Sequence, residues 1–391
     1  MSFKRAARLD QLPPYLFIEI DRKKREAIKA GKDVISFGVG DPDRPTPTFI
    51  VDRMAEAIRE SANHQYPLGS GSMEFRKCVT TFMQQRFNVT LDPATEAMAV
   101  IGTKEGIGHL PLAVINPGDY VLVPSPGYPV YESSTIFAGG LVHEMPLLSE
   151  RGFLPDLNAI PRDVLSKARL MFINYPNNPT GAVAGLDFYE QCVALAQKHD
   201  FVICSDAAYT ETYFDDRDRP RSIFEVKGAK EVAVEMHSLS KTFNMTGWRL
   251  GFAVGHAGVV EALAKIKGNV DSGAFTAIQD AGITALEGIN RPEVLANREM
   301  YRRRRDALVP HLRELGFGVE PPRATFYVWA KCPKGHEDSM RCATKILDEA
   351  AIVAIPGVGF GKYGEGFVRF ALTVEEDRIR VATGRLAEMK W

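Results

Sequence analysis

Between residues 49 and 286 the chain returns six times to a short, almost wholly apolar run, and this recurrence limits the fold more than any other feature. The runs lie at 97–101, 120–123, 170–173, 201–204, 232–236 and 250–254. Consecutive rather than alternating apolar positions suit strands that are covered on both faces. Helix-like stretches such as 187–199 lie between them, so the connections read as right-handed crossovers and the sheet as mainly parallel. The expected class is α/β.

The flanking segments extend this frame. Residues 1–48 are broken by Pro13-Pro14 and by Gly38-Val39-Gly40-Asp41-Pro42, with a polar helix-like piece at 20–30 between them. After residue 286 a long helix-like segment, 292–315, leads to strand-like runs at 325–329, 352–355 and 368–371 and a last helix. The chain is expected to divide into a large unit, 49–286, and a smaller α+β unit, 287–391, which the segment 1–48 joins by folding back. The net charge of −1 gives no field to draw nucleic acid or a membrane surface. The four arginines at 302–305, between Glu299 and Asp306, read as a solvated, partly paired helix face. No apolar span of ~20 residues and no signal-peptide pattern is visible. Five scattered cysteines form neither a metal pair nor a disulfide framework, so a reducing cytoplasm is the expected location. No metal-ligand spacing stands out among the eight histidines.

In open α/β sheets, ligands bind beyond the carboxyl ends of the strands. The unusual polar residues of this chain fall there four times, in Gly102-Thr103-Lys104, Asn174-Tyr175-Pro176-Asn177-Asn178, Ser205-Asp206-Ala207-Ala208-Tyr209 and Ser238-Leu239-Ser240-Lys241. Together they describe one site for a flat, phosphorylated heterocyclic aldehyde. Lys241 would hold the aldehyde covalently and later move a substrate proton, since partial burial beside cations lowers a lysine's pKa toward the useful range. Asp206 would keep a ring nitrogen protonated, although an aspartate in this position is equally an ordinary helix cap. Tyr209 and the amide of Asn178 could donate to a ring oxygen; Asn178 also suits the turn before Pro179. Backbone N–H groups at Gly102-Thr103-Lys104, the hydroxyls of Ser238 and Ser240, and Arg249 offer a phosphate what it needs. Tyr128 could stack on the ring face or simply pack beside a turn. Arg369 lies in the apolar run 368–371, where a guanidinium is costly unless paired; it binds either a substrate carboxylate or Glu365.

With these residues in place, Asn177-Asn178-Pro179-Thr180-Gly181, Ser205-Asp206-Ala207-Ala208-Tyr209, the run from Ser238 to Gly251 and the late Val368-Arg369-Phe370-Ala371-Leu372 resemble the class I and II aminotransferases, enzymes of fold type I. The resemblance covers essentially the whole chain. It implies pyridoxal 5'-phosphate as cofactor, a mainly parallel seven-stranded large domain with a smaller α+β domain, and a homodimer with shared active sites. It implies further that Lys241 forms the Schiff base, that Asp206 faces the pyridinium nitrogen, and that Asn178 and Tyr209 contact the ring oxygen. Thr103, Lys104, Ser238, Ser240 and Arg249 would surround the phosphate, Tyr128 would stack on the ring, and Arg369 would bind the α-carboxylate. Tyr66 matches a tyrosine that reaches the neighbouring subunit's phosphate.

Within that family the chain most resembles the LL-diaminopimelate aminotransferases, through segments such as Leu12-Pro13-Pro14-Tyr15-Leu16-Phe17, Ile101-Gly102-Thr103-Lys104-Glu105-Gly106 and Pro126-Gly127-Tyr128-Pro129. That branch implies substrate contacts at Tyr15, Gly40 and Lys104, with Tyr128, Asn178 and Arg369. It exchanges an amino group between LL-diaminopimelate and 2-oxoglutarate. Some members use a glutamate near the Tyr66 segment, and 66–71 contains none. Lys104 could instead take the side-chain carboxylate of aspartate or glutamate, which would make an acidic amino-acid or alanine aminotransferase. A non-catalytic ligand-sensing regulator on the same fold is a third reading.

Overall fold

The apolar runs become strands because each has a hydrophobic layer on both sides. The computed structural model describes residues 3–12, 16–67 and 69–391. Its strands are β1 (Ile35–Ser36), β2 (Ala97–Val100), β3 (Tyr120–Ser125), β4 (Leu141–Pro146), β5 (Ala168–Asn174) and β6 (Val202–Asp206), then β7 (Ala233–Ser238), β8 (Gly251–Gly255), β9 (Tyr327–Lys331), β10 (Ile352–Val353), β11 (Ile355–Pro356) and β12 (Phe367–Ala371). Seven of them form one sheet in the order β2-β8-β7-β6-β5-β3-β4. Along β3 and β5 successive side chains enter opposite layers. Leu122, Met171 and Ile173 join one cluster with Phe188 and Phe252, while Val121, Leu170 and Phe172 join another with Leu110 and Leu263.

Only β8 runs against the others. The link from β7 holds the four-residue helix Leu239–Thr242 and reverses through left-handed backbone at Asn244 and Arg249, so it returns as a hairpin rather than a crossover. The sheet is thus mainly parallel, as expected. One strand, β4, escaped the apolar-run criterion. It is the sheet edge, its face is only partly covered, and it carries His143 and Glu144.

Beyond this sheet, β11, β12 and β9 form a second, antiparallel one, and β1 pairs in parallel with β10 through Ile35↔Ile352 and Ser36↔Val353. The N-terminal segment therefore does return to the C-terminal part of the chain. The strand expected at 325–329 begins two residues later, because Thr325 adopts a positive φ of 66° that a strand cannot contain. The arginine run needs a correction. It lies on the helix Pro292–Glu314, and Arg302, Arg303 and Arg305 are ion-paired near the surface, but Arg304 is fully buried. Its guanidinium donates to both Asp43 carboxylate oxygens, at 2.7 and 2.6 Å, and to the Leu372 carbonyl at 3.0 Å. Among the described residues no helix is long and apolar enough to cross a membrane.

Candidate active site

At the carboxyl ends of β5, β6 and β7 the loops converge on a cavity of about 920 Å³. Twelve of the fourteen residues singled out from the sequence line it. Of the other two, Tyr66 is 92% exposed and does not line the cavity, and Tyr15 lies outside the described residues.

Asp206 ends β6 and is buried. Its Oδ2 accepts a hydrogen bond from the Tyr131 hydroxyl at 2.7 Å, and its Oδ1, equally buried, has no partner. Burial pushes its pKa up to about 6, against the pull of Tyr131, the Ala208 N–H and the nearby His237. A buried carboxylate with one oxygen unspent is a place for a positively charged N–H. Asn174, the last residue of β5, braces this corner. Its amide donates to the Asp206 carbonyl at 2.7 Å and its oxygen accepts the Asn178 N–H at 2.8 Å.

Lys241 sits in the short helix that Ser238 caps through the Ser240 N–H. Its Nζ donates to the Gly40 carbonyl at 2.8 Å. Burial lowers its pKa to about 8; Asp41 resists this, while Arg249 and Arg369 add to it. At neutral pH an appreciable fraction of the amine is therefore free to act as nucleophile or base.

Across the cavity the helix Thr103–Val114 starts without a side-chain cap, so its first N–H groups remain for a ligand. Gly102 has φ 72°, and a Cβ there would come within 2.5 Å of the Arg249 Nη2, so only glycine fits. Arg249 holds a left-handed backbone, φ 55°, and donates to the Thr246 carbonyl at 2.7 Å. Its guanidinium is thereby kept against the helix start. Thr103 is half-buried, Lys104 exposed, and Ser238 and Ser240 face the same space. Tyr128 meets Tyr131 edge-on, 5.9 Å between centroids.

Arg369, on β12, is 3% exposed and has no carboxylate partner among the described residues. The alternative pairing with Glu365 is not made: that carboxylate takes the N–H and hydroxyl of Ser339, at 2.6 and 3.1 Å. Instead Arg369 donates to Asn178 Oδ1 at 2.8 Å and to the Gly38 carbonyl at 2.9 Å, and its Nε is unpartnered. The rings of Tyr327 and Phe360 flank it, at 4.2 and 4.6 Å. A buried guanidinium with no neutralising anion is poised for one from outside. Because the Asn178 oxygen is spent on Arg369, its amide nitrogen is left for the cavity. The Tyr209 hydroxyl lies 3.1 Å from that of Tyr327. Gly40 lines the cavity too, and a side chain there would strike the Tyr327 hydroxyl.

Several of these partners left no mark in the sequence. Tyr131 meets Asp206 across 75 positions, and Tyr327 and Phe360 look like ordinary core aromatics. Asn174 alone carried a signal, since it opens the segment already singled out.

The set could hold a protonated ring nitrogen, an aldehyde, a phosphate and a carboxylate. A family model described as aminotransferase class I and II matches residues 32–386. An LL-diaminopimelate aminotransferase of Syntrophobacter fumaroxidans is 53% identical over 391 residues, covering 100% of both chains. One of Aquifex aeolicus is 50% identical over 388 residues, 99% of this chain and 100% of that one. Among solved structures, substrate-bound BacF from Bacillus subtilis superposes with a TM-score of 0.95 at 36% identity, covering 100% and 99% of the two chains. A Thermus thermophilus aspartate aminotransferase single mutant gives 0.92 at 30%, covering 99% of each. With the family pattern spanning nearly its full length, this enzyme belongs to the class I and II aminotransferases.

Proposed function

We propose that this aminotransferase exchanges an amino group between LL-2,6-diaminopimelate and 2-oxoglutarate, giving tetrahydrodipicolinate and glutamate, with pyridoxal 5'-phosphate as cofactor. The observation that carries the substrate is the agreement of full-length relatives named for it, at about half identity. The charge of the cavity lining is compatible with it. The lining mixes the acids Asp21, Glu26 and Asp41 with a larger number of bases, Lys24, Arg25 and Lys104 among them. The far end of diaminopimelate carries an ammonium and a carboxylate, whereas that of aspartate or glutamate carries only a carboxylate.

When bound, pyridoxal phosphate supplies an electron sink for the bond broken at the amino acid Cα. The chain's own groups do the rest. Asp206 Oδ1 keeps the ring nitrogen protonated, and Tyr131 holds that carboxylate in place. The Asn178 amide and Tyr209 hydroxyl would donate to the ring oxygen, and Tyr128 would offer its ring to stack on the cofactor. The N–H groups of Thr103 and Lys104, the hydroxyls of Ser238 and Ser240, and Arg249 hold the phosphate. Arg369 would bind the α-carboxylate, and Lys241 would take up the proton that leaves the substrate Cα. On this reading the unit 49–286 carries the cofactor groups, and 287–391 with 1–48 brings Arg369. Exposed Tyr66 would reach the phosphate of a second copy in a homodimer.

A panel of amino donors against 2-oxoglutarate, followed by cofactor absorbance, tests the proposal. The kcat/KM for LL-diaminopimelate is expected to exceed those for aspartate and alanine by about 100-fold or more, the scale set by a buried polar partner left unpaired. Ready turnover of aspartate with none of LL-diaminopimelate would remove it. In the same assay Arg369→Lys is expected to raise KM for every donor by about tenfold or more with a smaller change in kcat, because an ammonium cannot reproduce the planar fork. An unchanged KM would take the carboxylate away from Arg369.

A further inference from the structure

Lys267 is a fully buried cation outside the cavity. It lies on the helix Ala257–Val270 with its side chain wholly inaccessible to solvent. Its Nζ donates to Glu105 Oε2 at 3.0 Å and to both oxygens of Asp271, at 3.0 and 3.2 Å. Glu105 Oε2 also accepts the N–H of Ile101 at 2.8 Å, and the other oxygen of Glu105 lies 2.7 Å from His109 Nδ1. Glu105, His109 and Asp271 have the mutual spacing of metal ligands, within 4.8 Å. The Lys267 ammonium already supplies the cation to two of the three.

Ile101 immediately precedes Gly102-Thr103-Lys104, and Glu105 stands in the first turn of the helix they open. The Glu105 carboxylate therefore grips the backbone on the upstream side of the phosphate site, and Lys267 grips that carboxylate. A half-buried carboxylate paired to a fully buried ammonium is held in one direction more firmly than one that water fully solvates. Asp271, the other partner, accepts the Gly273 N–H at 2.9 Å just before the helix Thr276–Glu287. Gln279 of that helix takes the Ser72 N–H at 2.7 Å, beside the segment that bears Tyr66.

We propose that Lys267 is a positioning residue for the cofactor phosphate, acting through Glu105 on the N–H groups at 102–104. This rests on the reading of that turn as the phosphate site. The affinities of the cofactor-free protein for pyridoxal phosphate and for pyridoxal, which lacks the phosphate, test the two ideas separately. Wild-type protein is expected to bind the phosphorylated form much the more tightly. If it does not, the assignment of the phosphate site itself fails. Lys267→Met is expected to cut the ratio of the two affinities about tenfold, one charge-assisted hydrogen bond's worth, and to leave pyridoxal binding within about twofold. Glu105→Gln keeps the volume and should give the same loss, and it decides the matter if Lys267→Met does not fold. Asp271→Asn, which loosens only the far side of Lys267, should keep the ratio. An unchanged ratio in folded Lys267→Met and Glu105→Gln overturns the proposal, as does an equal loss for both ligands.

Discussion

Lys241→Ala is expected to abolish turnover while leaving the protein folded, with a loss of about 10⁴-fold or more, since both covalent attachment and proton transfer lie with one amine. The side chain ends in the cavity and makes one hydrogen bond, to the Gly40 carbonyl, so little of the core depends on it. Borohydride reduction followed by peptide mapping gives the independent check. Wild-type protein should carry the label on the peptide holding position 241, and the alanine variant should carry none. Near wild-type rates in the variant, or a label on another lysine, would end this account of the site.

Asp206→Asn is expected to have two opposite effects. Activity should fall about a thousandfold or more, the scale seen when a preorganised charge partner of the reacting group is lost. The cofactor-free protein should become more stable. The folded-state pKa of Asp206 is raised to about 6 from an ordinary 3.8. The folded state thus holds a proton that the unfolded chain has released between those values, and stability is lost as pH rises through this window. The loss approaches about 3 kcal/mol above pH 6. Asparagine does not titrate. The melting temperature of the cofactor-free variant should therefore gain on that of wild type as pH rises from 4 to 6 and keep a constant lead above that. Parallel melting curves across that range would show that burial of Asp206 carries no such cost.

What the sequence disclosed, and what it withheld, follows from how far apart the interacting groups lie in the chain. Asp206 at the end of β6, Lys241 in the short helix after β7 and Asn178 in the loop after β5 all lie at the carboxyl ends of apolar strands, so type and position together singled them out. Their supports come from elsewhere. Tyr131 reaches Asp206 from a helix after β3, and Arg369 is held by Asn178 and Gly38, 191 and 331 positions away. Nothing local distinguishes such a partner, and the nearby Glu365 was the natural but mistaken alternative. The same applies to the fold. Strands buried on both faces were visible, while edge strand β4, with His143 and Glu144, resembled a loop. Arg304 looked like its solvated neighbours until Asp43 came to meet it.

The loop from Gly38 to Asp43 has a consequence for how the enzyme fills. Its carbonyl at Gly38 engages Arg369, its carbonyl at Gly40 engages Lys241, and its far end is moored to Arg304. On the proposed function the polypeptide thereby acts as its own temporary guest, occupying the two cations that substrate and cofactor would claim. An arriving ligand gains only the difference between its bond and the one it displaces. Since one loop serves both cations, evicting it from either loosens its hold on the other. Loading at the two positions is then expected to be cooperative, with a reciprocal linkage.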